Sequence, residues 1–334
     1  MTESAIASPP SLISLAMLAL LNGAPAHAAP TKVWVSNAGS DGNPCTLAAP
    51  CKSFEHALGV VAAGGEISVL TAGDYSGTVF PRVVINKSVS ITNDGAGEAG
   101  ILDNVNDADS PAVVVVAGLG DVVNLRGIVI DGTGLGAQGL NVNQVGALQM
   151  ERCVIANFEG APTSFGIVMN PFSGTQSVFL SDTIIYNNGS GAGSAGIQLL
   201  TTGGGSIKAI LDRVQLENNV IGLQVEAQSG TGILRVAMRD STAVGNAGDG
   251  VLAILGSGAS AFVFVERSTF VNNAGSGLHA DGAHAIILVS DSSITNNGSG
   301  VSATASGQLI SFGNNRNNNN IGAEGTATSV VTPF

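Results

Sequence analysis

From about residue 120 onward the chain repeats itself, and this constrains the fold more than any other feature. The unit is an apolar strand, a charged corner, a second strand ending in Asn, a Gly-containing turn and a short third strand. Copies read "FLSDTIIYNNGSGAGSAGIQL", "ILDRVQLENNVIGLQV", "AMRDSTAVGNAGDGVLAI", "FVERSTFVNNAGSGLHA", "LVSDSSITNNGSGVSA" and "SFGNNRNNNNIGAEG", with a weaker earlier one in "QMERCVIANFEG". The corner residues Arg152, Asp182, Arg213, Asp240, Arg267 and Asp291 are 30, 31, 27, 27 and 24 residues apart. A fixed strand core with turns of variable length explains that drift, and self-similarity at this period marks a solenoid.

The pattern excludes a helical solenoid. Strands alternate with period two, are rich in β-branched residues and are punctuated by Asn-Gly and Gly-Gly. Period two sorts the faces. Val178, Leu180, Leu211, Val236, Met238, Val263, Val265, Ile287 and Val289 share one parity in the first strand. Ile185, Leu216, Ala243, Phe270 and Ile294 align in the second, and Ile197, Leu223, Val251, Leu278 and Val301 in the third. Three inward columns per coil describe an all-β fold, a parallel β-helix, and the crossover rule makes it right-handed.

Asn188, Asn219, Asn246, Asn273, Asn297 and Asn319 fall at one sharp turn. Asn tolerates the left-handed backbone such a turn needs, and stacked copies can bond their amides along the solenoid. The same register puts Cys153 in an inward column with Thr183, Val214, Ser241, Ser268 and Ser292, as a buried thiol. The corner signs alternate over six coils, so neighbours one strand spacing apart are expected to pair as an exposed ladder.

Residues 66–80, 82–95 and 111–134 read as irregular early coils. Upstream, "SFEHALGVVAAGG" is a short amphipathic helix with Phe54, Leu58 and Val61 on one face, Ser53 as N-cap and Gly64-Gly65 as a stop. A solenoid exposes strand edges and core at its ends, so this helix suits a cap.

Residues 11–28, "SLISLAMLALLNGAPAHA", read as a secretory signal. An apolar stretch from Leu12 to Leu21 precedes Pro25 and an A-x-A site ending at Ala28. The preceding segment carries Glu3 and no Lys or Arg, which departs from the usual signal; the competing reading is a buried apolar helix. The run is too short for a membrane span, and no later segment qualifies. In an oxidising compartment Cys45 and Cys51 form a small disulfide loop that pins the cap, the alternative being two separate thiols. Removing residues 1–28 leaves 12 basic and 23 acidic residues, a net charge of 12 − 23 = −11. That acidity argues against nucleic acid and anionic membrane as partners.

The stretch "GSDGNPCTLAAPCKSFEHAL", followed by "GGEISVLTAGDYSG" and "INKSVSI", resembles the entry segment of exported bacterial right-handed parallel β-helix proteins of the pectate-lyase-like superfamily. The Asn turns and strand triplets resemble their coils. The resemblance covers roughly residues 33–325 and implies the fold. It does not fix the function, because the superfamily holds lyases, hydrolases, epimerases, esterases, tailspikes and non-catalytic surface proteins. The catalytic patterns of polygalacturonases, pectin methylesterases and alginate epimerases are absent, as is the Gly-Gly-x-Gly-x-Asp calcium repeat.

One face remains a candidate for chemistry. The outward parity of the first strand holds Lys208, Asp212, Arg235, Arg239 and Glu266 on three adjacent coils. A lyase needs a cation to neutralise a uronate carboxylate and a base to take the adjacent proton. Lys208, Arg235 or Arg239 would supply charge or, if desolvated, the base, and Asp212 and Glu266 an acid, a base or calcium ligands. The plainer reading is a solvated charged face. His279 and His284 with Asp281 would suit a metal, but their spacing is not diagnostic, and no metal site is assigned. The loop carrying Asp103, Asp107 and Asp109 would suit weak calcium binding, and no other cofactor is indicated.

These readings divide the chain into a signal peptide (1–28), a capping segment (29–65), the β-helix (66–325) and a tail (326–334). The favoured function is a secreted β-helix, extracellular, periplasmic or at the cell surface, that binds or organises extracellular or cell-surface polysaccharide, mainly without catalysis. The alternative is a polysaccharide lyase-type enzyme using the first-strand face. Aromatic residues are scarce, at 4% of the chain, which favours the former.

Overall fold

The computed structural model describes residues 28–78, 82–105, 111–228, 230–255 and 259–331. The signal segment, except Ala28, lies outside the described residues, as do Asp107 and Asp109.

The chain is a parallel β-solenoid of three sheets, with 12 strands in the first, 10 in the second and nine in the third among the described residues. Every strand pairing is parallel and joins one coil to the next. The three predicted inward columns are buried, from Leu180, Leu211 and Met238 in the first sheet to Ile185, Leu216 and Phe270 in the second and Ile197, Leu223 and Leu278 in the third. They fuse into one core running the length of the solenoid. The first sheet begins at Lys32–Val35 and ends at Ser329–Val330.

The one helix among the described residues is Phe54–Val60, with Ser53 accepting the His56 N–H as its N-cap. It packs beside the first strands of the solenoid, and Phe54 meets the Tyr75 ring at 5.1 Å. Cys45 and Cys51 are joined in a disulfide, and both are buried. Trp34 donates to the Cys45 carbonyl and accepts from the Cys51 N–H, so the loop is sewn to the first strand. No described helix is long and apolar enough to cross a membrane.

Two expectations about the turns need correction. The left-handed residues are not the stacking amides but the residues just before them: Asn187, Asn218, Gly245, Asn272 and Asn296, with φ from 52° to 68°. Asn188, Asn219, Asn246, Asn273 and Asn297 are turned inward and buried. Asn246 Nδ2 donates to Asn273 Oδ1 at 2.7 Å, Asn273 to Asn297 at 2.8 Å and Asn297 to Asn320 at 3.0 Å. The ladder therefore ends at Asn320. Asn319 is itself left-handed, with φ 62°. One residue has to make the bend and the next has to face the core, so the two tasks fall to adjacent positions.

The second correction concerns the charged corner. Arg152, Asp182, Arg213, Asp240, Arg267 and Asp291 are all left-handed, with φ between 45° and 54°. They bend the chain from the first sheet into the second. They pair in isolated twos rather than as a continuous ladder: Arg213 with Asp182, and Arg267 with Asp240. Each guanidinium uses two nitrogens on that carboxylate and the third on the acid just before it in the chain, Asp212 or Glu266, which leaves none for the Asp on its other side. Arg152 turns instead to Glu151 and Asp94, and Asp291 accepts from Asn314.

Candidate functional site

The first sheet presents its outward face in straight rows, because parallel pairing in register stacks equivalent residues about 4.8 Å apart. All five sequence-predicted residues lie on this face, in two rows separated by a third. One row runs Ser177, Lys208, Arg235, Phe262, Ile286. The other runs Arg126, Glu151, Ser181, Asp212, Arg239, Glu266, Ser290.

The second row is an ion-pair network. Asp212 is buried and receives Arg213 Nη1 at 2.5 Å and Arg239 Nε at 3.0 Å. Glu266 receives Arg267 Nη1 at 2.8 Å. Arg126 Nε lies 3.0 Å from Asp94. Asp212, Arg239 and Glu266 are thus tied to one another's neighbours across the coils. Their charges are already answered.

Lys208 and Arg235 differ. They are direct in-register neighbours and exposed, and neither forms an ion pair among the described residues. The Arg235 guanidinium lies 5.5 Å from the centre of the Phe262 ring. The structure therefore separates the predicted set into a free cationic pair and a neutralised network.

The row between them escaped the sequence reading. It runs Gln149, Phe179, Ile210, Ala237, Phe264, Leu288, Ile310. Ile210 is 41% exposed, and the others from Phe179 onward are half-buried. Phe264 meets Phe312 edge-on at 6.3 Å. The signal was present in "AFVFV", an unbroken apolar run where a half-solvated strand should alternate. Toward the N-terminal end the face turns polar. Ser90, Thr92, Asn124, Arg126, Gln149 and Glu151 are among the residues lining a concavity of about 260 Å³ that ends at Phe179.

Elsewhere, Cys153 is buried as a free thiol, and burial pushes it up to about 11. Its column is a second hydrogen-bond ladder: Val214 N–H donates to Ser241 Oγ, Ser241 N–H to Ser268 Oγ and Ser268 N–H to Ser292 Oγ. The described His, Cys, Asp and Glu side chains converge as a group of three at Cys45, Cys51 and His56, where two are joined in the disulfide. His279, Asp281 and His284 do not gather as a ligand set. His279 bonds Asp249 and Thr304 instead, and His284 stands exposed in the following turn.

Neither a family model nor a curated protein matches the chain. Among solved structures it is similar to pectate lyase Pel9A, at 16% identity and a TM-score of 0.60, over 84% of this chain and 74% of that one. XylC in complex with xylose aligns at 10% identity over 84% of this chain and 71% of that one, TM-score 0.47. A rhamnogalacturonan lyase aligns at 14% identity over 83% and 84%, TM-score 0.36. The likeness to Pel9A is one of fold: the solenoid is a pectate-lyase-like β-helix.

Proposed function

We propose that this is an exported β-helix protein whose first sheet binds an acidic extracellular polysaccharide, mainly without catalysis. The observation that carries the reading is the Lys208–Arg235 pair. In a chain of net charge −12, two adjacent cations stand free on an exposed sheet while Arg239, two rows across, is neutralised. Two such cations suit the carboxylates of a polymer lying across the strands. Phe262 and the Phe179–Ile310 row beside them offer apolar surface for sugar rings. The fold of a pectate lyase supports a carbohydrate ligand. The signal-like N-terminus and the disulfide support export.

One observation favours the lyase alternative. Lys208 is exposed and forms no ion pair among the described residues, so its amine is open to contact with a bound uronate. Asp212, Arg239 and Glu266 suit that chemistry less well, because they already neutralise one another's neighbours. A panel of uronate-containing and neutral polysaccharides, assayed for both binding and unsaturated product, tests the proposal. Salt-sensitive binding of the acidic members supports it. Binding limited to neutral members, or no binding at all, refutes it.

A further inference from the structure

The third sheet carries a hydrogen-bonded cluster that the first-sheet reading does not use. His279 lies in the strand Ser276–Asp281 and faces outward. Its Nδ1 is 2.9 Å from Asp249 Oδ2, and its Nε2 is 2.9 Å from Thr304 Oγ1. The other Asp249 oxygen accepts the Ser276 N–H at 2.6 Å, which fixes the carboxylate against the imidazole. The three side chains come from three successive coils, 30 and 25 residues apart.

A hydroxyl, an imidazole and a carboxylate linked in that order form the arrangement that activates an oxygen nucleophile. The local backbone adds to this. Thr304 ends its strand, and Ala305 and Ser306 follow with φ 47° and 70°. Two consecutive non-glycine residues in the left-handed region are costly and concentrate at functional sites. Gly307 closes the turn on the Thr304 carbonyl. Among the described residues no backbone acceptor takes the Ala305 or Ser306 N–H.

We propose that Thr304, His279 and Asp249 form a second site that hydrolyses small O-acyl esters. Thr304 Oγ1 bonds to the ester carbonyl carbon as its proton passes to His279 Nε2. The bond from that carbon to the alcohol oxygen then breaks, and the departing oxygen takes the proton from His279. Water adds to the acyl-Thr304 carbonyl and gives a proton to His279, which returns it to Thr304 Oγ1 as the acid leaves. The sum is ester plus water to acid plus alcohol, with no other reactant. Asp249 is a positioning residue that holds Nδ1 protonated so that Nε2 faces the hydroxyl. The site is open on a sheet face, with Leu252 and Ile254 of the preceding coil in register with His279 and Asp281. An ester carried on a polymer can reach it.

Charge around the imidazole sets the pH at which it works. Asp249 faces it from the coil before and Asp281 from its own strand. Asp281 also accepts the Thr304 hydroxyl at 2.8 Å. The register neighbours Leu252 and Ser302 are uncharged. The bond to Asp249 holds His279 above its ordinary value. Protonated His279 leaves Thr304 bonded to Asp281, and neutral His279 can accept the Thr304 proton. The rate should therefore rise as pH climbs through a value above about 6.5.

The test uses p-nitrophenyl acetate as substrate and an alkyl fluorophosphonate as a covalent label, with purified full-length protein. Wild type should hydrolyse the ester about 10²–10⁴-fold faster than Thr304→Ala or His279→Ala. Thr304→Ser should retain activity, and the adduct should map to the peptide carrying Thr304. Asp249→Asn should move the rise in rate to lower pH. Wild-type hydrolysis no faster than Thr304→Ala, or an adduct elsewhere, overturns the proposal. Thermal unfolding of each variant separates lost chemistry from lost fold, and Thr304→Ser together with the label decides the matter if the alanine variants do not fold. The ester probe needs no glycan, so failure of polysaccharide binding leaves this result readable.

Discussion

Arg213 grips Asp182 across one coil with both arms of its guanidinium, Nε to Oδ1 at 2.7 Å and Nη2 to Oδ2 at 2.8 Å. Both residues sit at left-handed corners, so the pair braces two successive bends of the chain. The hydrogen bond from Arg213 holds the Asp182 carboxyl below its ordinary value. A depressed carboxylate contributes stability above its unfolded value, about pH 4, and loses it as pH falls through the folded value. Arg213→Glu removes the partner and sets like charges beside Asp182 and Asp212. The expected outcome is a small fall in Tm that shrinks as salt is added, and acid unfolding that begins at higher pH. An unchanged acid limb would show that the pair stabilises nothing.

The Asn turns predict opposite results at the stacking and the bending positions. Asn246 is buried, accepts the Asn219 N–H and donates to the Leu216 carbonyl and Asn273. Asn246→Ala leaves those groups unsatisfied and should cost about 2–4 kcal/mol in denaturant unfolding. Asn272 is left-handed, with φ 59°, so Asn272→Gly should stay within a few tenths of a kcal/mol. Equal losses at both positions would contradict this division of labour.

That division also marks how far the sequence could be read. Columns such as Leu180, Leu211 and Met238 were legible because burial on a strand follows period two, a local rule. The Asn stack was legible from repetition, but the residue that bends and the residue that stacks are adjacent and, except at Gly245, both Asn, so pattern alone could not separate them. At the corner, alternation of sign was visible, yet that Arg213 bonds Asp182 and Asp212 and leaves Asp240 to Arg267 is a matter of side-chain direction that a sign pattern does not carry. The free state of Lys208 and the neutralised state of Arg239 have the same cause, since both read simply as outward cations. His279 was singled out, but its partners lie one coil away on either side. Only the register of about 24–31 residues per coil could have pointed to Asp249 and Thr304.

The cysteines should behave as two classes. Mass spectrometry of the native protein should show Cys45 linked to Cys51, and Cys153 free. A thiol reagent should label Cys153 only after unfolding, because burial raises it to about 11 and removes access. Replacing Cys45 and Cys51 by Ser should cost on the order of 1–3 kcal/mol. Hydrogen exchange should then rise first around Trp34 and the helix, ahead of the middle coils. Labelling of folded Cys153 would contradict the inward column.

The outward face of the first sheet allows binding and catalysis to be told apart by which residues matter. A polymer held mainly by charge should lose affinity steadily with salt, and Lys208→Ala and Arg235→Ala should weaken it by modest, similar amounts. Phe262→Ala should weaken it as well, since that ring both carries the Arg235 guanidinium and offers a stacking surface. Arg239→Ala should instead lower Tm with little change in affinity, because its guanidinium is spent on Asp212. A lyase would give a different ranking. Lys208→Ala would abolish unsaturated product by about 10²–10⁴-fold while binding largely survived. Isothermal titration and product absorbance on the same four variants supply the ranking. If Arg239→Ala affects binding more than Lys208→Ala and Arg235→Ala do, then the free cationic pair is not where the polymer lies.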